Sequence, residues 1–286
     1  MNRKKYIMVP LVLMCQLLTS CFDKFDPESY KPTFTINGFT AVDEIKPSNL
    51  VAYWSFDGAL TETVSGTTGT NKGSGFVNGF KGQAINFDGA AKTYATFEAP
   101  AALKEMKSFT ISFWVNPTLV DTDGNNENDG ILGLFGLSNA SRFWGNIEWF
   151  VENGSKADGA RIKIIFTSNN ADERDILVEN VKNFFGSWSN HTVTFDATTG
   201  ALKYYVNGSL AGTKTVTFPA PFAFANSGPV VFGTVQFQTT PSLTSSHGTE
   251  PWASWLTGAM DEVRVYNTPL TQTEVNAMVV LQGKGK

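Results

Sequence analysis

The sequence predicts an all-β sandwich with a short helix at its C-terminal end. The chain has 286 residues, 42% of them apolar, which is enough to bury a substantial core. It contains 26 glycines and only 17% charged residues, whereas helical bundles are rich in Ala, Glu, Lys and Leu. Its apolar residues alternate with polar ones in short runs bounded by Gly, Asn, Asp or Pro, a pattern typical of strands.

The strand pattern begins at about residue 48 and continues to the C-terminal region. In one run Ile111, Phe113 and Val115 share a face, and Pro117 ends the run because proline lacks the N–H group of a ladder. Asn207-Gly208 predicts a tight turn, since both residues tolerate positive φ. The predicted strands are 50–56, 83–87, 93–97, 109–115, 161–167, 191–196, 202–206, 229–238 and 262–266.

Only two segments favour a helix. The first is a turn around residues 101–106, and the second is the C-terminal segment 274–281. Thr271 and Glu274 have the spacing of a capping box, in which each side chain bonds the other residue's backbone N–H. We therefore expect the C-terminal helix to begin directly after Thr271.

Residues 1–20 are predicted to be a signal peptide. The segment starts with basic residues, and its apolar stretch 7–18 is shorter than the roughly 20 residues that span a bilayer. Residues 18–21, Leu-Thr-Ser-Cys, resemble the lipobox of bacterial lipoproteins, whose cysteine is acylated. Cys21 is therefore the predicted lipidation site and membrane anchor. The alternative is an ordinary signal peptide followed by an unrelated cysteine.

Cysteine and charge content limit the classes of function. The two cysteines are Cys15, inside the predicted signal peptide, and Cys21, so the mature chain would have neither a disulfide nor a free thiol. Removal of residues 1–20 takes away three basic residues, and the net charge changes from −4 to −7. An acidic chain without a basic stripe is not expected to bind nucleic acid.

Residues 21–47 are predicted to be an acidic tether between the lipid and the domain. This segment contains three acidic residues near its start, three prolines and few periodic apolar residues. Its acidic start resembles the surface-export signal of some Gram-negative lipoproteins, and a merely solvated linker is the alternative. We therefore expect an exported protein anchored to the outer membrane, on either its surface or its periplasmic face.

Five sequence blocks in order resemble the laminin-G-like domain of the concanavalin A-like lectin/glucanase superfamily. The last block, Asp-Glu-Val-Arg-Val-Tyr at 261–266, is the most diagnostic of them. The resemblance implies a jelly roll of two curved antiparallel sheets over residues 48–286, whose concave face or rim loops often bind sugars. The blocks are residues 50–57, 82–89, 108–115, 202–208 and 258–266.

The same resemblance implies a structural Ca²⁺ ion. Strict alternation would place Asp261 on the inward face with Val263 and Val265, where an unpaired charge is costly. Members of the family often bind calcium at this aspartate with oxygens from the first strand and a Phe-Asp-Gly turn, which implies Asp57 and Asp88, or the adjoining carbonyls, as further ligands. The alternative is that Asp261 caps backbone amides or pairs with a basic residue such as Arg264.

Other metal sites are disfavoured by their residue patterns. The acidic loop 121–130 has oxygen ligands at alternating positions, but an EF-hand needs flanking helices and a glutamate where Leu132 stands. The loop is therefore predicted to be a solvated rim loop. His191 and His247 are the only histidines, too few for a His-rich zinc site.

A glycosidase-like pattern occurs at residues 148–152. Glu148 and Glu152 have the spacing of the Glu-x-Asp-x-Glu motif of laminarinase-type glycoside hydrolases and share one face of a strand. Phe150 replaces the middle aspartate, which sets the protonation of its neighbours in that family. The favoured interpretation is two solvent-facing glutamates without catalytic function.

Two segments combine aromatic and hydrogen-bonding side chains as sugar-binding sites do. They are residues 142–149 and 236–255, and both lie outside the blocks of the family core. The alternative is that their tryptophans plug the ends of the sandwich. The predicted ligand-binding residues are Arg142, Trp144, Glu148, Trp149, Glu152, Gln236, Gln238, Trp252 and Trp255.

The predicted function is therefore non-catalytic binding of a glycan by a lipid-anchored protein of the cell envelope. One alternative is an adhesion or scaffold protein that binds protein partners through the same rim. The other is a glycoside hydrolase that uses Glu148 and Glu152.

Overall fold

The computed structural model describes residues 34–286, which fold into two eight-stranded sheets packed face to face. This confirms the predicted all-β jelly roll. Almost all neighbouring strands are antiparallel, and both cysteines precede residue 34, so the described core has no covalent cross-link. The predicted signal peptide and Cys21 lie outside the described residues. No helix within residues 34–286 has the length and apolarity needed to cross a membrane.

Sheet I contains the first and last strands of the domain. Its strand order is β13-β12-β11-β6-β16-β4-β3, and β1 also pairs with β16. Asn207 and Gly208 have φ of 49° and 76° in the turn between β12 and β13, as the sequence predicts. The strands are β1 (Leu50–Trp54), β3 (Gly75–Asn78), β4 (Gln83–Phe87), β6 (Phe109–Pro117), β11 (Ser189–Asp196), β12 (Ala201–Val206), β13 (Ser209–Thr215) and β16 (Gly258–Tyr266).

Sheet II contains the strands that support the candidate site. Its strand order is β10-β9-β8-β7-β14-β5-β2, and the short β15 pairs with β7 in parallel. The strands are β2 (Thr70–Lys72), β5 (Tyr94–Phe97), β7 (Ile131–Asn139), β8 (Ile147–Val151), β9 (Ala160–Ser168), β10 (Asp172–Val181), β14 (Ser227–Phe232) and β15 (Ala253–Ser254).

The main core lies between the sheets and is rich in aromatic side chains. Trp54, Phe97 and Phe232 meet edge to face at centroid distances of 5.2–5.7 Å. Phe113 lies 4.5 Å from Trp149, which is fully buried. Such aromatic pairs add ~0.5–1.5 kcal/mol each beyond the burial of their surface. The abundant phenylalanines therefore stabilise a core that has no disulfide.

A helix covers the outer face of sheet I. A short helix α1 (Ala101–Lys104) connects β5 and β6, and the C-terminal helix α2 (Gln272–Gln282) packs on Tyr205 and Tyr266 of sheet I. The predicted capping box is present, because the Thr271 hydroxyl accepts the Glu274 N–H while the Glu274 carboxylate accepts the Thr271 N–H. The helix is thereby fixed at its first turn.

The N-terminal part of the described chain packs against the same helix, which corrects the predicted domain boundary at residue 48. Val42 and Ile45 are buried in one cluster with residues of α2, and Ile36 and Phe39 pack against that cluster. A 3-10 turn forms at Val42–Glu44. The compact unit accordingly starts at Thr35, so the last part of the predicted tether belongs to the domain.

Candidate functional site

The outer face of sheet II carries five clustered aromatic side chains, here called the aromatic platform: Phe143, Trp144, Phe150, Phe237 and Trp252. Phe143 stacks on Phe237 at 4.6 Å, and Trp144 stacks on Phe150 at 5.2 Å with only 11° between the rings. Trp252 lies 5.9 Å from Phe143 and 5.5 Å from Phe237. Trp252 is 43% exposed, whereas Phe150 and Phe237 are buried beneath. Buried rings thus support exposed ones.

Strand alternation and a folded-back loop place these rings together. On β8, Trp149 and Val151 belong to the core between the sheets, so Phe150 faces outward. The loop before β8 then brings Trp144 over Phe150. This fold requires a glycine at 145, because a Cβ atom there would lie 2.6 Å from the Leu137 carbonyl oxygen.

Gln236 joins the two predicted sugar-binding segments. Its Oε1 accepts the Asn139 N–H at 2.7 Å, and its Nε2 donates to the carbonyls of Arg142 and Phe143 at 2.7 and 2.9 Å. The side chain is fully buried. Gln236 therefore positions the platform, and the prediction that it contacts a ligand is wrong because backbone groups already use its polar atoms.

Gln238 has the same kind of role in the loop 249–255. Its Oε1 accepts the Glu250 N–H at 2.7 Å, and its Nε2 donates to the carbonyls of Glu250 and Ala253. The residue is 2% exposed. Its amide group thus holds the loop that carries both Trp252 and Trp255, which corrects its predicted role as a ligand contact.

The remaining residues of the first segment have different surroundings. Arg142 is partly exposed at the edge of the platform, where it donates to the Asn170 carbonyl at 2.9 Å and lies 3.8 Å from Glu173. Trp149 lies between the sheets, 5.6 Å from Tyr204. The predicted contact of Trp149 with a ligand is therefore wrong, because strand alternation points the ring into the core.

Glu148 is buried under the platform and does not face solvent. Its Oε2 accepts the Gly145 N–H at 3.2 Å, while its Oε1 has no hydrogen-bond partner among the described residues. Burial raises the pKa of this carboxyl to about 8. The predicted solvent-facing position is therefore wrong for Glu148, because the loop before β8 covers it. This enclosure also keeps its carboxyl from contacting a ligand on the surface.

Glu152 directly follows β8 and lies four residues after Glu148, on the same side of the chain. Its carboxylate is 3.7 Å from Lys163 Nζ, and the side chain is partly exposed. The buried ring of Phe150 stands between it and Glu148. The two glutamates share a face as the sequence predicts, but their environments differ and only Glu152 reaches solvent.

Trp255 lies apart from the platform. Lys92 Nζ is 4.8 Å from the centre of its ring, and both residues line a cavity of about 400 Å³ together with Gln238 and Glu250. No platform residue lines this cavity. The structure therefore brings Arg142, Trp144 and Trp252 together and separates Trp255 from them.

The three predicted calcium ligands are not brought together. Asp57 accepts the Gln83 N–H at 2.8 Å at the start of β4, whereas Asp88 follows the end of this five-residue strand and accepts the Ala90 N–H. At ~3.3 Å per residue the strand keeps their backbones more than 10 Å apart. Asp88 is therefore not part of a site with Asp57, and it serves to cap its own turn.

Asp261 is buried as predicted, but it does not share the inward face of the core residues. A bulge between Asp261 and Arg264 interrupts the alternation, and Met260 and Val263 both enter the core. The Asp261 carboxylate accepts the N–H groups of Lys81 and Glu262 at 2.8 and 2.7 Å. Burial, with Glu262 and Asp57 nearby, raises its pKa to about 7.

The carboxylates of Asp57 and Asp261 fit closely against two glycines of one turn. A Cβ atom at Gly79 would lie 2.6 Å from Asp261 Oδ2, and one at Gly82 would lie 2.0 Å from Asp57 Oδ1. Backbone N–H groups of this turn thus contact both carboxylates. The three carboxylates are not brought together, and a Ca²⁺ ion held by Asp57, Asp261 and adjoining carbonyls stays a prediction.

The acidic loop forms the one group of three or more metal-ligating side chains found within residues 34–286. Carboxylate oxygens of Asp121, Asp123 and Asp129 lie within 4.8 Å of one another. Hydrogen bonds within the loop hold them, since Asp121 accepts the Gly124 N–H at 2.7 Å and Asp129 accepts the Thr122 N–H. Backbone donors lower the pKa of Asp121. The loop residues are mostly exposed, and the expectation that this loop holds no metal ion stays a prediction.

Several members of the site lie outside the predicted ligand-binding residues. Phe143 and Phe237 belong to the two predicted segments without being among those residues, and Phe150 enters the prediction only as the replacement of an aspartate. Exposed His247, whose ring lies 4.4 Å from Phe143, lies within the predicted segment 236–255 but is likewise not among those residues. The signal that could have found the phenylalanines is the density of aromatic residues in both segments, because a large exposed indole needs apolar neighbours to hold it.

Comparisons with known proteins agree with the fold. The family model of the concanavalin A-like lectin/glucanases superfamily, Laminin_G_3, matches residues 88–276. No curated protein sequence matches the chain significantly.

Among solved structures, the binding domain of botulinum neurotoxin serotype G shares 18% identity at a TM-score of 0.59, covering 82% of this chain and 51% of that one. The binding domain of Paraclostridial Mosquitocidal Protein 1 shares 16% at 0.56, covering 81% and 52%. The binding domain of botulinum neurotoxin DC, in complex with rat synaptotagmin II, shares 14% at 0.57, covering 83% and 52%. This chain thus spans about half the length of these structures, and such low identities show a shared fold.

Proposed function

The chain belongs to the concanavalin A-like lectin/glucanase superfamily, and from that membership we propose that it is a non-catalytic glycan-binding protein. The observation that carries the proposal is the aromatic platform, with three rings that reach solvent and two buried rings beneath them. Sugars bind aromatic faces through their C–H surfaces while polar groups at the edge fix their hydroxyls. Arg142 and His247 stand at that edge.

The rigidity of the platform supports the proposal. The buried amides of Gln236 and Gln238 hold the backbones of the two loops that carry Trp144 and Trp252. A site whose rings are ordered before the ligand arrives loses less conformational entropy on binding. This ordered arrangement of exposed rings is not expected of tryptophans that only cover the end of the core.

The charged side chains on this face of sheet II favour a neutral glycan. Most of them form pairs, so the surface beside the platform has no strong net charge. An anionic glycan would gain little from such a face, and the predicted charge of the mature protein is itself negative. The pairs are Arg142–Glu173 at 3.8 Å, Lys163–Glu152 at 3.7 Å, Lys163–Asp175 at 3.7 Å and Arg161–Glu179 at 3.6 Å.

The proposed absence of catalysis is supported by the environment of the glutamates. Glu148 is enclosed and Glu152 is paired with Lys163, whereas glycoside hydrolysis needs two carboxyls that flank the scissile bond. The cellular setting rests on the sequence alone. We propose that Cys21 carries a lipid that anchors the exported protein to the outer membrane.

The test is binding of the full-length protein to immobilised glycans, followed by affinity electrophoresis in gels that contain the polysaccharides that bind. The double variant Trp144→Ala/Trp252→Ala should weaken binding by tenfold or more, since each stacked ring contributes about 1 kcal/mol or more. Trp188→Ala is the matched control, because Trp188 is partly exposed but lies near Phe80, away from the platform.

Two binding results and one activity result would contradict the proposal. One is equal glycan binding by the double variant and the control. The other is the absence of glycan binding together with capture of a defined protein partner that the double variant loses, which would establish the adhesion alternative. Release of reducing sugar that Glu152→Gln abolishes would establish the hydrolase instead.

A further inference from the structure

The cavity beside Trp255 is built from charged, hydroxyl and aromatic side chains. Its volume of about 400 Å³ lies near the lower end of the range of ~300–1,000 Å³ for small-molecule sites. It is open on one side and separate from the platform. Its lining includes Lys92, Thr240, Thr249, Glu250 and Trp255.

The two charged groups of this cavity have no ionic partner in the part of the chain that the structure describes. Lys92 and Glu250 form no salt bridge with each other or with any other residue between 34 and 286. The Lys92 ammonium instead lies 4.8 Å from the centre of the Trp255 ring, on its face. Most charged groups beside the platform, in contrast, are paired. This cavity therefore holds an available donor and an available acceptor next to an indole.

The wall of the cavity is held by buried groups. Gln238 bonds the backbone of Glu250 on both its N–H and its carbonyl. Tyr94 is buried, and its hydroxyl accepts the Thr240 N–H at 2.8 Å. Lys92 itself has a φ of 57°, a left-handed conformation that is uncommon for lysine. The backbone is thus fixed while the side chains of Lys92 and Glu250 are free to meet a ligand.

We infer that this cavity is a second carbohydrate subsite that takes one neutral pyranose unit. The C–H face of the sugar stacks on Trp255, the Glu250 carboxylate accepts from ring hydroxyls, and the Lys92 ammonium donates to hydroxyl oxygens. Both charges then serve one ligand, because sugar hydroxyls donate and accept. A uronate would be attracted by Lys92 but repelled by Glu250, and an amino sugar the reverse, so neither charged sugar gains a net electrostatic advantage over a neutral one. The inference rests on the proposed glycan-binding function.

The positions of Trp252 and Trp255 give a polysaccharide two separate sites of contact. Trp252 and Trp255 are carried by one loop, but Trp252 packs in the platform and Trp255 faces Lys92. A polysaccharide that engages both sites binds the second one at high effective concentration. Affinity for a long chain is therefore expected to exceed that for a monosaccharide at either site.

The experiment is fluorine NMR of the full-length protein labelled with fluorotryptophan. The chain has seven tryptophans, and the resonances of Trp144, Trp252 and Trp255 are assigned by substituting each one with phenylalanine. The probes are the methyl pyranosides of glucose, galactose, mannose and xylose, with galacturonate and glucosamine as charged comparisons. Lys92→Met and Glu250→Gln test the two polar groups, and Lys203→Met, an exposed lysine on sheet I, is the matched control.

We expect the Trp255 resonance to shift and saturate with at least one neutral pyranoside, and the charged sugars to bind no more tightly. Lys92→Met and Glu250→Gln should each weaken this site by about tenfold, the effect of one hydrogen bond to a charged group. Lys203→Met should leave it unchanged. No shift of Trp255 with any neutral pyranoside, or an unchanged affinity of this site in both Lys92→Met and Glu250→Gln, would overturn the inference.

The same spectra show separately whether the platform and the cavity beside Trp255 bind a sugar. Shifts of Trp144 and Trp252 without Trp255 would leave the platform as the binding site and remove the second subsite. A shift of Trp255 alone would remove the platform and retain the subsite.

Discussion

For Glu148, the sequence pattern predicts the correct face of the strand but the wrong exposure to solvent. Its position on the outer face of β8 follows from strand alternation, because Ile147 and Trp149 point into the core. Its burial depends on Gly145 and on the loop that covers the strand, and this is a tertiary feature. A carboxyl in this setting favours its protonated form.

Glu148→Gln should therefore change how stability depends on pH. The pKa of Glu148 rises from 4.5 to about 8 on folding, so the folded state retains a proton that the unfolded state releases between these values. Its contribution to the free energy of unfolding is present below about pH 4.5 and declines by up to ~1.4 kcal/mol per pH unit until about pH 8. Urea unfolding between these pH values should show a flatter profile for the glutamine variant.

Glu152→Gln is the control for this measurement, since Glu152 is partly exposed and paired with Lys163. An exposed ion pair of this kind contributes little to stability, so Glu152→Gln should unfold at nearly the same urea concentration as the wild-type protein at pH 7. Parallel profiles for the Glu148 variant and the wild-type protein would show that Glu148 is charged in the folded state.

Gln236→Ala should destabilise the protein and weaken glycan binding without removing a ligand contact. The substitution leaves the Asn139 N–H and the carbonyls of Arg142 and Phe143 without their partner. Unsatisfied buried groups cost ~1–3 kcal/mol each, and entering water offsets part of this, so a loss of about 2–4 kcal/mol is expected. Chemical unfolding and affinity electrophoresis measure both effects.

The control is Gln272→Ala, which removes one hydrogen bond to the Gly208 carbonyl near α2. It should cost less than about 1 kcal/mol and leave glycan binding intact. Unchanged glycan binding by Gln236→Ala would show that Gln236 does not position the platform.

Strands in which apolar and polar residues alternate could be predicted from the sequence. Strands without this alternation could not. The sequence predicts β4 at its observed bounds and β6 to within two residues. It misses β7, whose nine residues are all buried and include Gly133 and Gly136, so no period of two is visible. It also misses β10 and β13, where charged or small exposed residues pair at the sheet edges.

The predicted strand 229–238 shows the other kind of error. The observed strand ends at Phe232, and Gly233 follows with a φ of 88°. A Cβ atom at this glycine would lie 2.6 Å from the ring of Phe87. The chain therefore leaves the sheet where the Phe87 ring packs directly against its backbone. The apolar residues after Gly233 belong to the loop that supports the platform.

The role of the N-terminal segment of the domain cannot be predicted from its composition. Its polar and acidic residues predict a tether, yet Val42 and Ile45 bury their side chains against α2. Asn37 Nδ2 donates to the Thr273 carbonyl at 3.1 Å, and Lys46 lies 3.5 Å from Glu274. Two buried apolar residues among polar ones are too few for a periodic signal.

Ile45→Ala should lower the free energy of unfolding by about 2–4 kcal/mol, because the side chain is 1% exposed and leaves a cavity under α2. Thermal unfolding of the full-length protein measures the loss. Val64→Ala is the control, since Val64 is 50% exposed and should change stability by less than about 0.5 kcal/mol. Equal stability of both variants would mean that the segment is a tether after all.

At the scale of the molecule, the surface charge allows a neutral glycan to be distinguished from an anionic one by the salt dependence of binding. The face around the platform carries paired charges, so binding of a neutral glycan should depend weakly on ionic strength. Affinity electrophoresis at low and high salt should give dissociation constants within about twofold of each other. A loss of tenfold or more at high salt would indicate an anionic ligand instead.

The docked N-terminal segment also determines how the domain presents its binding face. Residues 36–45 lie with α2 on the outer side of sheet I, whereas the platform lies on the outer side of sheet II. The start of the described chain and the exposed indoles therefore lie on opposite faces of the sandwich, with the thickness of two sheets between them. A partner that covers residues 36–45 and α2 would leave the platform open to a ligand.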